Sequence, residues 1–137
     1  MIDHFVDYDT AFALKELGYD EPCFGSYRTH YENKWHLDCG PQSCQFQKSA
    51  SACIAPFKSQ VFKWFREKYH LDAWVVPYHR LNRERHYCYL IETVIDDELD
   101  YLNDNSDEYP SHEEAENKCI ENLISFVKTK NNETKNN

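Results

Sequence analysis

The residues with the clearest capacity for chemistry lie in one stretch, HLDCGPQSCQFQKSASAC, residues 36–53. The stretch contains His36, Cys39, Cys44 and Cys53. Imidazole and thiolate groups are the usual ligands of tetrahedral structural zinc. Such sites normally pair two Cys-x₂₋₄-Cys knuckles, and this stretch offers no second knuckle. The sequence favours unligated thiols without a cofactor, and leaves open both a zinc site and a disulfide or redox pair.

A basic segment, HRLNRERH, covers residues 79–86 and contains Arg80, Arg83 and Arg85. It lies between two runs typical of β-strands, and a hairpin tip of this kind can bind a phosphate backbone or an acidic partner. The formal net charge of −9 disfavours general nucleic-acid binding. Phosphate affinity comes from Lys and Arg side chains that displace counterions. Nucleic-acid binding is therefore the alternative hypothesis for this segment.

An acidic segment follows at residues 96–110, with seven carboxylates and no Lys or Arg. Its first half contains Asp96, Asp97, Glu98 and Asp100. Carboxylates spaced along a chain can take the place of phosphates in pairing with arginine, so this segment could occupy a basic groove on another protein. A charge run of this kind also indicates a solvated loop, which is the simpler interpretation.

The sequence offers no catalytic constellation. There is no Gly-rich phosphate loop and no His-Glu-x-x-His motif. Nucleophilic catalysis would need a Ser or Cys beside a His and a third orienting group, and no spacing singles out such a triple. The sequence therefore favours a protein that is not an enzyme.

No secretory signal and no apolar run of about 20 residues is recognisable, so we expect a cytoplasmic protein with no membrane partner. In that compartment cysteines remain mostly reduced.

Local signals predict three helices. Asp7 or Asp9 can cap a helix over residues 9–17 that Gly18 ends. Pro56 precedes a helix near residues 58–69 with an apolar stripe. Ser111 and Glu114 form a capping box for a helix over residues 111–128.

Gly40, Pro41 and the polar residues after them predict a loop over residues 39–53. The remaining periodic segments predict β-hairpins. One bends near Asn33, and another joins residues 71–78 to residues 86–94. Pro77 belongs on an edge or at a strand end, because proline donates no ladder hydrogen bond. The prediction is an α+β fold, with a small antiparallel sheet of β-hairpins packed by two or three helices. Residues 1–128 would form a single domain and residues 129–137 a polar flexible tail.

Several stretches together resemble a known group of proteins. The segments APFKSQVFKWFREKYHLDAWVVPY, YLIE and DEYPSHEEAENKCIENLISFVK, with ALKELGYDEPCFGSY near the N-terminus, are similar to a family of small proteins encoded by phages and prophages of gut Bacteroidota. The resemblance implies a phage or mobile-element origin, in the cytoplasm of a bacterial host cell. It supplies no catalytic residues.

These observations predict a non-catalytic phage accessory protein that acts by macromolecular interaction, through host-factor binding or inhibition. A small nucleic-acid-binding module using residues 79–86 is the alternative, and an enzyme is the third candidate. The expected partner is a host or phage protein. Unpaired sheet edges and exposed aromatic residues leave a homodimer open.

Overall fold

The computed structural model describes residues 2–29, 35–40, 52–79, 81, 84–95, 97–102 and 107–136. These residues divide into two compact units, Met1–Val61 and Phe62–Asn137. The helices and strands, in chain order, are α1 (Tyr8–Glu16), β1 (Gly25–Thr29), β2 (Trp35–Cys39), β3 (Ala52–Ala55), α2 (Lys58–Tyr69), β4 (Asp72–His79), β5 (Arg85–Ile95), β6 (Glu98–Tyr101) and α3 (His112–Lys135). The predicted α+β class is confirmed. The boundary between the units falls within α2, and the single-domain assignment of residues 1–128 stays a prediction.

The first unit begins with a short 3₁₀ turn, Ile2–His4, and α1. The Asp7 carboxylate caps α1 by accepting a hydrogen bond from the Thr10 backbone N–H at 2.8 Å. Gly18 follows the helix with a φ of 85°, in the left-handed region that glycine adopts without steric cost. Both ends of the predicted first helix are thus confirmed.

The sheet of the first unit has the strand order β2-β1-β3, with both neighbouring pairs antiparallel. The antiparallel β1–β2 pair confirms the two strands of the predicted hairpin, whereas its predicted bend near Asn33 lies outside the described residues. β3 corrects the end of the loop predicted over residues 39–53, because Ala52 and Cys53 belong to this strand; residues 41–51 of that loop lie outside the described residues. All four residues of β3 are buried, so this strand lacks the alternation of buried and exposed residues that identifies a half-exposed strand.

The second unit contains a sheet with the order β4-β5-β6, also antiparallel throughout. Pro77 lies in β4, an edge strand, as expected for a residue without an N–H donor. On the opposite side of β5, Tyr87 and Tyr109 exchange two backbone hydrogen bonds of 2.8 Å. β6 pairs with the other end of β5, so β5 is the central strand.

Helix α3 begins at the predicted cap, where the Ser111 hydroxyl accepts a hydrogen bond from the Glu114 N–H at 3.2 Å. Its buried stripe consists of Ala115, Cys119, Ile120, Leu123, Ile124 and Val127. The helix continues to Lys135, beyond residue 128, which corrects the predicted start of the tail. Once a packed segment has nucleated a helix, each further residue gains one hydrogen bond, which roughly offsets the entropic cost of fixing its backbone.

Among the described residues, no helix is both long and apolar enough to cross a membrane.

Candidate functional site

The structure places three of the four candidate zinc ligands, and it separates them. His36 and Cys39 lie in β2 and Cys53 lies in β3, with β1 between the two strands. His36 is opposite Arg28 of β1, whereas Cys39 and Cys53 are opposite Gly25 and Tyr27. Because side chains alternate between the two faces of a sheet, His36 points away from the face that carries Cys39 and Cys53.

The two described cysteines of this set are also too far apart to act together. They lie two strand spacings apart, about 9–10 Å, and are offset along the strands as well. A disulfide requires Cα atoms within about 7 Å, and zinc requires sulfurs within about 2.3 Å of one ion. Among the described residues, no group of three or more His, Cys, Asp or Glu side chains could hold a metal. Cys44 lies outside the described residues, so the four-ligand set is not assembled in the part of the chain that the structure covers.

The described thiols instead range from exposed to deeply buried. Cys39 is exposed, and Cys53 and Cys119 are buried. Burial raises the pKa of Cys53 to about 11, and the nearby Lys15 opposes this shift. Burial raises the pKa of Cys119 to about 12, and the Glu116 carboxylate adds to the effect. Low-dielectric surroundings destabilise the thiolate, which is the form that binds metals and attacks electrophiles.

Part of the basic segment lies at the β4–β5 end of the second sheet. Arg85 begins β5 opposite His79 and is exposed. Arg80 and Arg83 lie outside the described residues. The neighbouring His86 ring lies 3.5 Å from the Glu84 carboxylate and 4.0 Å from Glu108. Acidic side chains therefore accompany the basic ones at this end of the sheet.

The predicted acidic loop contains a strand. Asp97 occupies the β5–β6 turn with a φ of 65°, and Glu98 and Asp100 belong to β6; Asp96 lies outside the described residues. This corrects the solvated-loop interpretation of residues 98–101. Acidic residues are depleted in strands, so the composition of residues 98–101 does not predict β6. The antiparallel pairing with β5 defines this strand.

Exposed hydrophobic side chains collect on one face of the second sheet. Trp74 lies opposite Leu90, Val76 opposite Cys88, and Val94 opposite Leu99. By strand alternation these pairs share a face with Tyr78 and Tyr101. We call this surface the apolar face: Trp74, Val76, Tyr78, Cys88, Leu90, Val94, Leu99 and Tyr101.

The apolar face is open to solvent in the described structure. The exposed fractions of its largest contributors are 38% for Trp74, 48% for Tyr78, 63% for Val94, 55% for Leu99 and 52% for Tyr101. With about 200 Å² for a fully exposed side chain of this size, these five expose roughly 500 Å². This exposed area lies in the upper half of the range, roughly 300–600 Å², for the largest apolar patch on a typical monomer.

The other face of the same sheet belongs to the core. Tyr89 and Ile91 of β5 are buried there. The Asn122 side chain of α3 donates a hydrogen bond to the Tyr89 hydroxyl, so α3 lies over this side. The second unit thus buries one face of its sheet beneath α3 and leaves the opposite one exposed.

An acidic row with a groove beside it crosses the apolar face, between the Trp74–Leu90 and Val94–Leu99 pairs. Asp72 and Glu92 are directly opposite each other on this face, and Tyr101 is opposite Glu92 on the other side. A groove of about 420 Å³ lies here, lined by Arg66, His70, Asp72, Glu92, Thr93, Val94 and Leu99. The Arg66 guanidinium lies 4.0 Å from the Asp72 carboxylate. The groove therefore combines carboxylates with an aliphatic wall.

The sequence predicts β4 and β5 of this surface, but neither β6 nor the surface itself. The usable signal was the alternation in Trp74-x-Val76-x-Tyr78 and in Glu98-Leu99-Asp100-Tyr101. Comparison with protein-family models, with curated proteins and with solved structures gives no match to this chain.

Proposed function

We propose that this chain acts by binding another macromolecule, without catalysis, and that the apolar face is its binding surface. The observation that carries the proposal is a sheet buried on one side by α3 and exposed on the other through large hydrophobic side chains. Exposed apolar surface with polar residues beside it commonly marks interaction sites on soluble proteins. Aromatic residues such as Trp74 and Tyr78 are also enriched at the centres of interfaces.

The sheet edges favour contact through the face. Edge strands recruit other strands unless proline, charge or short length prevents it. β4 contains Pro77, and β6 is four residues long with Glu98 and Asp100 in it. A partner is therefore more readily accommodated over the face than along either edge.

The resemblance to phage and prophage proteins supports a partner in the phage or in its bacterial host. In this proposal the chain is an accessory factor that binds or inhibits a host or phage protein.

In-cell photocrosslinking tests this proposal. A benzophenone side chain is placed at Leu99 in one variant and at Glu133, an exposed position of α3, in a matched control. We expect one discrete adduct from position 99 and none from position 133. We expect the adduct to be lost when Trp74→Ser is added and retained with Phe24→Ser, which alters an exposed aromatic outside the face. An absent adduct, or equal adducts from positions 99 and 133, would contradict the proposal.

Nucleic-acid binding through the basic segment is the second candidate, supported by the exposure of Arg85 at the start of β5. Fluorescence anisotropy with duplex DNA and RNA at about 0.15 M salt tests it. Loss of binding in Arg85→Glu, with unchanged binding in Glu133→Gln, would favour this candidate. Binding that is absent, or unaffected by Arg85→Glu, would exclude it.

A further inference from the structure

We infer that the partner presents a cationic protein segment with apolar side chains, and that a Lys or Arg of this segment binds in the groove beside Asp72 and Glu92. This inference rests on the proposed function and specifies the chemistry of the partner. It follows from the charges that border the apolar face, from the shape of the groove and from the net charge of the chain.

The first step is the pairing of two like charges. Asp72 and Glu92 are direct cross-strand neighbours on one face, an arrangement that is destabilising for two carboxylates. Arg66 lies at 4.0 Å from Asp72, and both side chains are more than half exposed, so solvent weakens their attraction. A further cation beside Glu92 would offset the remaining repulsion. The free protein therefore retains an electrostatic repulsion between these two carboxylates, and a positively charged partner relieves it.

The second step is the fit of a long basic side chain. The groove has a volume of about 420 Å³ and combines the two carboxylates with the aliphatic side chains of Val94 and Leu99. Lys and Arg place their methylene stems along apolar surface while the charged end meets an acid or water. The groove offers both parts of that environment, and its acidic pair lies between the Trp74–Leu90 and Val94–Leu99 pairs of the apolar face.

The third step concerns charge at longer range. Glu98 and Asp100 are exposed on β6, Asp97 is exposed in the preceding turn, and the whole chain has a net charge of −9. This field accelerates encounters with cationic partners and opposes approach of a nucleic acid or of a second copy of the chain. Among the candidate occupants of the apolar face, the charges therefore favour a basic protein segment.

The test uses two matched peptides as probes, the acetylated and amidated hexapeptide Lys-Trp-Lys-Leu-Lys-Leu and its counterpart with Glu in place of each Lys. Each is titrated into the full ¹⁵N-labelled chain and followed by amide chemical shifts. We expect the cationic peptide alone to shift the resonances of Trp74, Val94 and Leu99. We expect Glu92→Gln to weaken binding of the cationic peptide about two- to fivefold, because solvent screens a charge pair that is partly exposed.

Two further variants control this result. Glu133→Gln removes one negative charge from α3 and should leave the affinity unchanged, whereas Leu99→Ser should reduce it. The inference is overturned if both peptides bind equally, if neither binds, or if Glu92→Gln and Glu133→Gln have equal effects. It is also overturned if sedimentation shows the chain dimerising through the apolar face.

These outcomes separate the inference from the proposed function. A specific crosslink at position 99 without binding of the cationic peptide would reject the charge assignment and retain a binding role for the face. Absence of both would reject the two together.

Discussion

At the residue scale, the cysteines differ in burial, and burial determines how readily each thiol ionises. Cys39 is exposed on an edge strand, whereas Cys53 and Cys119 lie in the core. Burial raises the pKa of the two core thiols to about 11 and about 12. The folded state therefore holds them as neutral thiols, which pack as small hydrophobic side chains.

Alkylation rates test this difference. At about pH 8, a thiol of pKa near 11 is roughly 0.1% thiolate, so we expect Cys53 and Cys119 to react with iodoacetamide at least tenfold more slowly than Cys39. Rates at the buried sites should rise as the pH approaches 11, or when urea unfolds the chain. Peptide mass spectrometry over a time course measures each rate. Equal rates for Cys39 and Cys53 in the folded protein would contradict this placement.

Gly25 allows a second test at the residue scale, because two groups occupy the space that a side chain would need at this position. A Cβ there would lie 2.6 Å from a Phe5 ring carbon and 2.9 Å from the Ala55 carbonyl oxygen. The Ala55 oxygen belongs to the backbone of β3, so it cannot move away without disturbing the β1–β3 pairing. We expect Gly25→Ala to lower the free energy of unfolding by about 1–3 kcal/mol. Urea denaturation measures it, and Phe24→Ala, at an exposed neighbour, should change stability much less.

At the element scale, the capping of α3 is the clearest case of local sequence determining structure. The Ser111 hydroxyl satisfies the Glu114 N–H, one of the donors that a helix start leaves without an intrahelical partner. We expect Ser111→Ala to reduce stability by about 1 kcal/mol and Ser111→Asp to retain most of it. Urea denaturation followed by far-UV circular dichroism compares the two. Equal losses in both variants would show that the cap oxygen contributes little.

The same scale shows what could be predicted from sequence and what could not. The three helices and the edge position of Pro77 follow from caps, apolar spacing and the chemistry of proline, all of which are local. β3 and β6 are four residues each. β3 is defined by its pairing with β1, which is distant in the sequence. β6 is defined by its pairing with β5, because its own acidic composition is not typical of a strand. Short strands of this kind carry too little local signal.

The apolar face could not be predicted from the sequence for a related reason. In β4, Ala73 and Val75 alternate with Trp74 and Val76, so both faces of the strand are apolar in the sequence. Alternation assigns residues to two faces, and only the position of α3 decides which face is covered. The same rule separates two of the candidate zinc ligands, because His36 and Cys39 are three residues apart and therefore lie on opposite faces.

At the scale of the whole molecule, an exposed apolar surface and a large negative charge act against each other. The apolar face favours association of any two copies that meet, whereas the net charge of −9 keeps copies apart at neutral pH. As the pH falls toward the sequence pI of about 5.2, the chain takes up protons until its net charge reaches zero, and this repulsion disappears. Solubility near neutral pH would then depend on charge, and non-specific association near the pI would depend on the apolar face.

Light scattering as a function of pH tests this balance. We expect scattering of the wild-type chain to rise as the pH is lowered toward 5.2, and we expect Leu99→Ser combined with Tyr101→Ser to suppress the rise. Phe12→Ser combined with Phe24→Ser removes two comparably exposed aromatic side chains outside the apolar face and should leave the rise in place. If both double variants suppress scattering equally, general surface hydrophobicity controls association and the apolar face has no special part in it. Suppression by the first pair alone would mean that the net charge is what keeps this one surface from associating between copies at neutral pH.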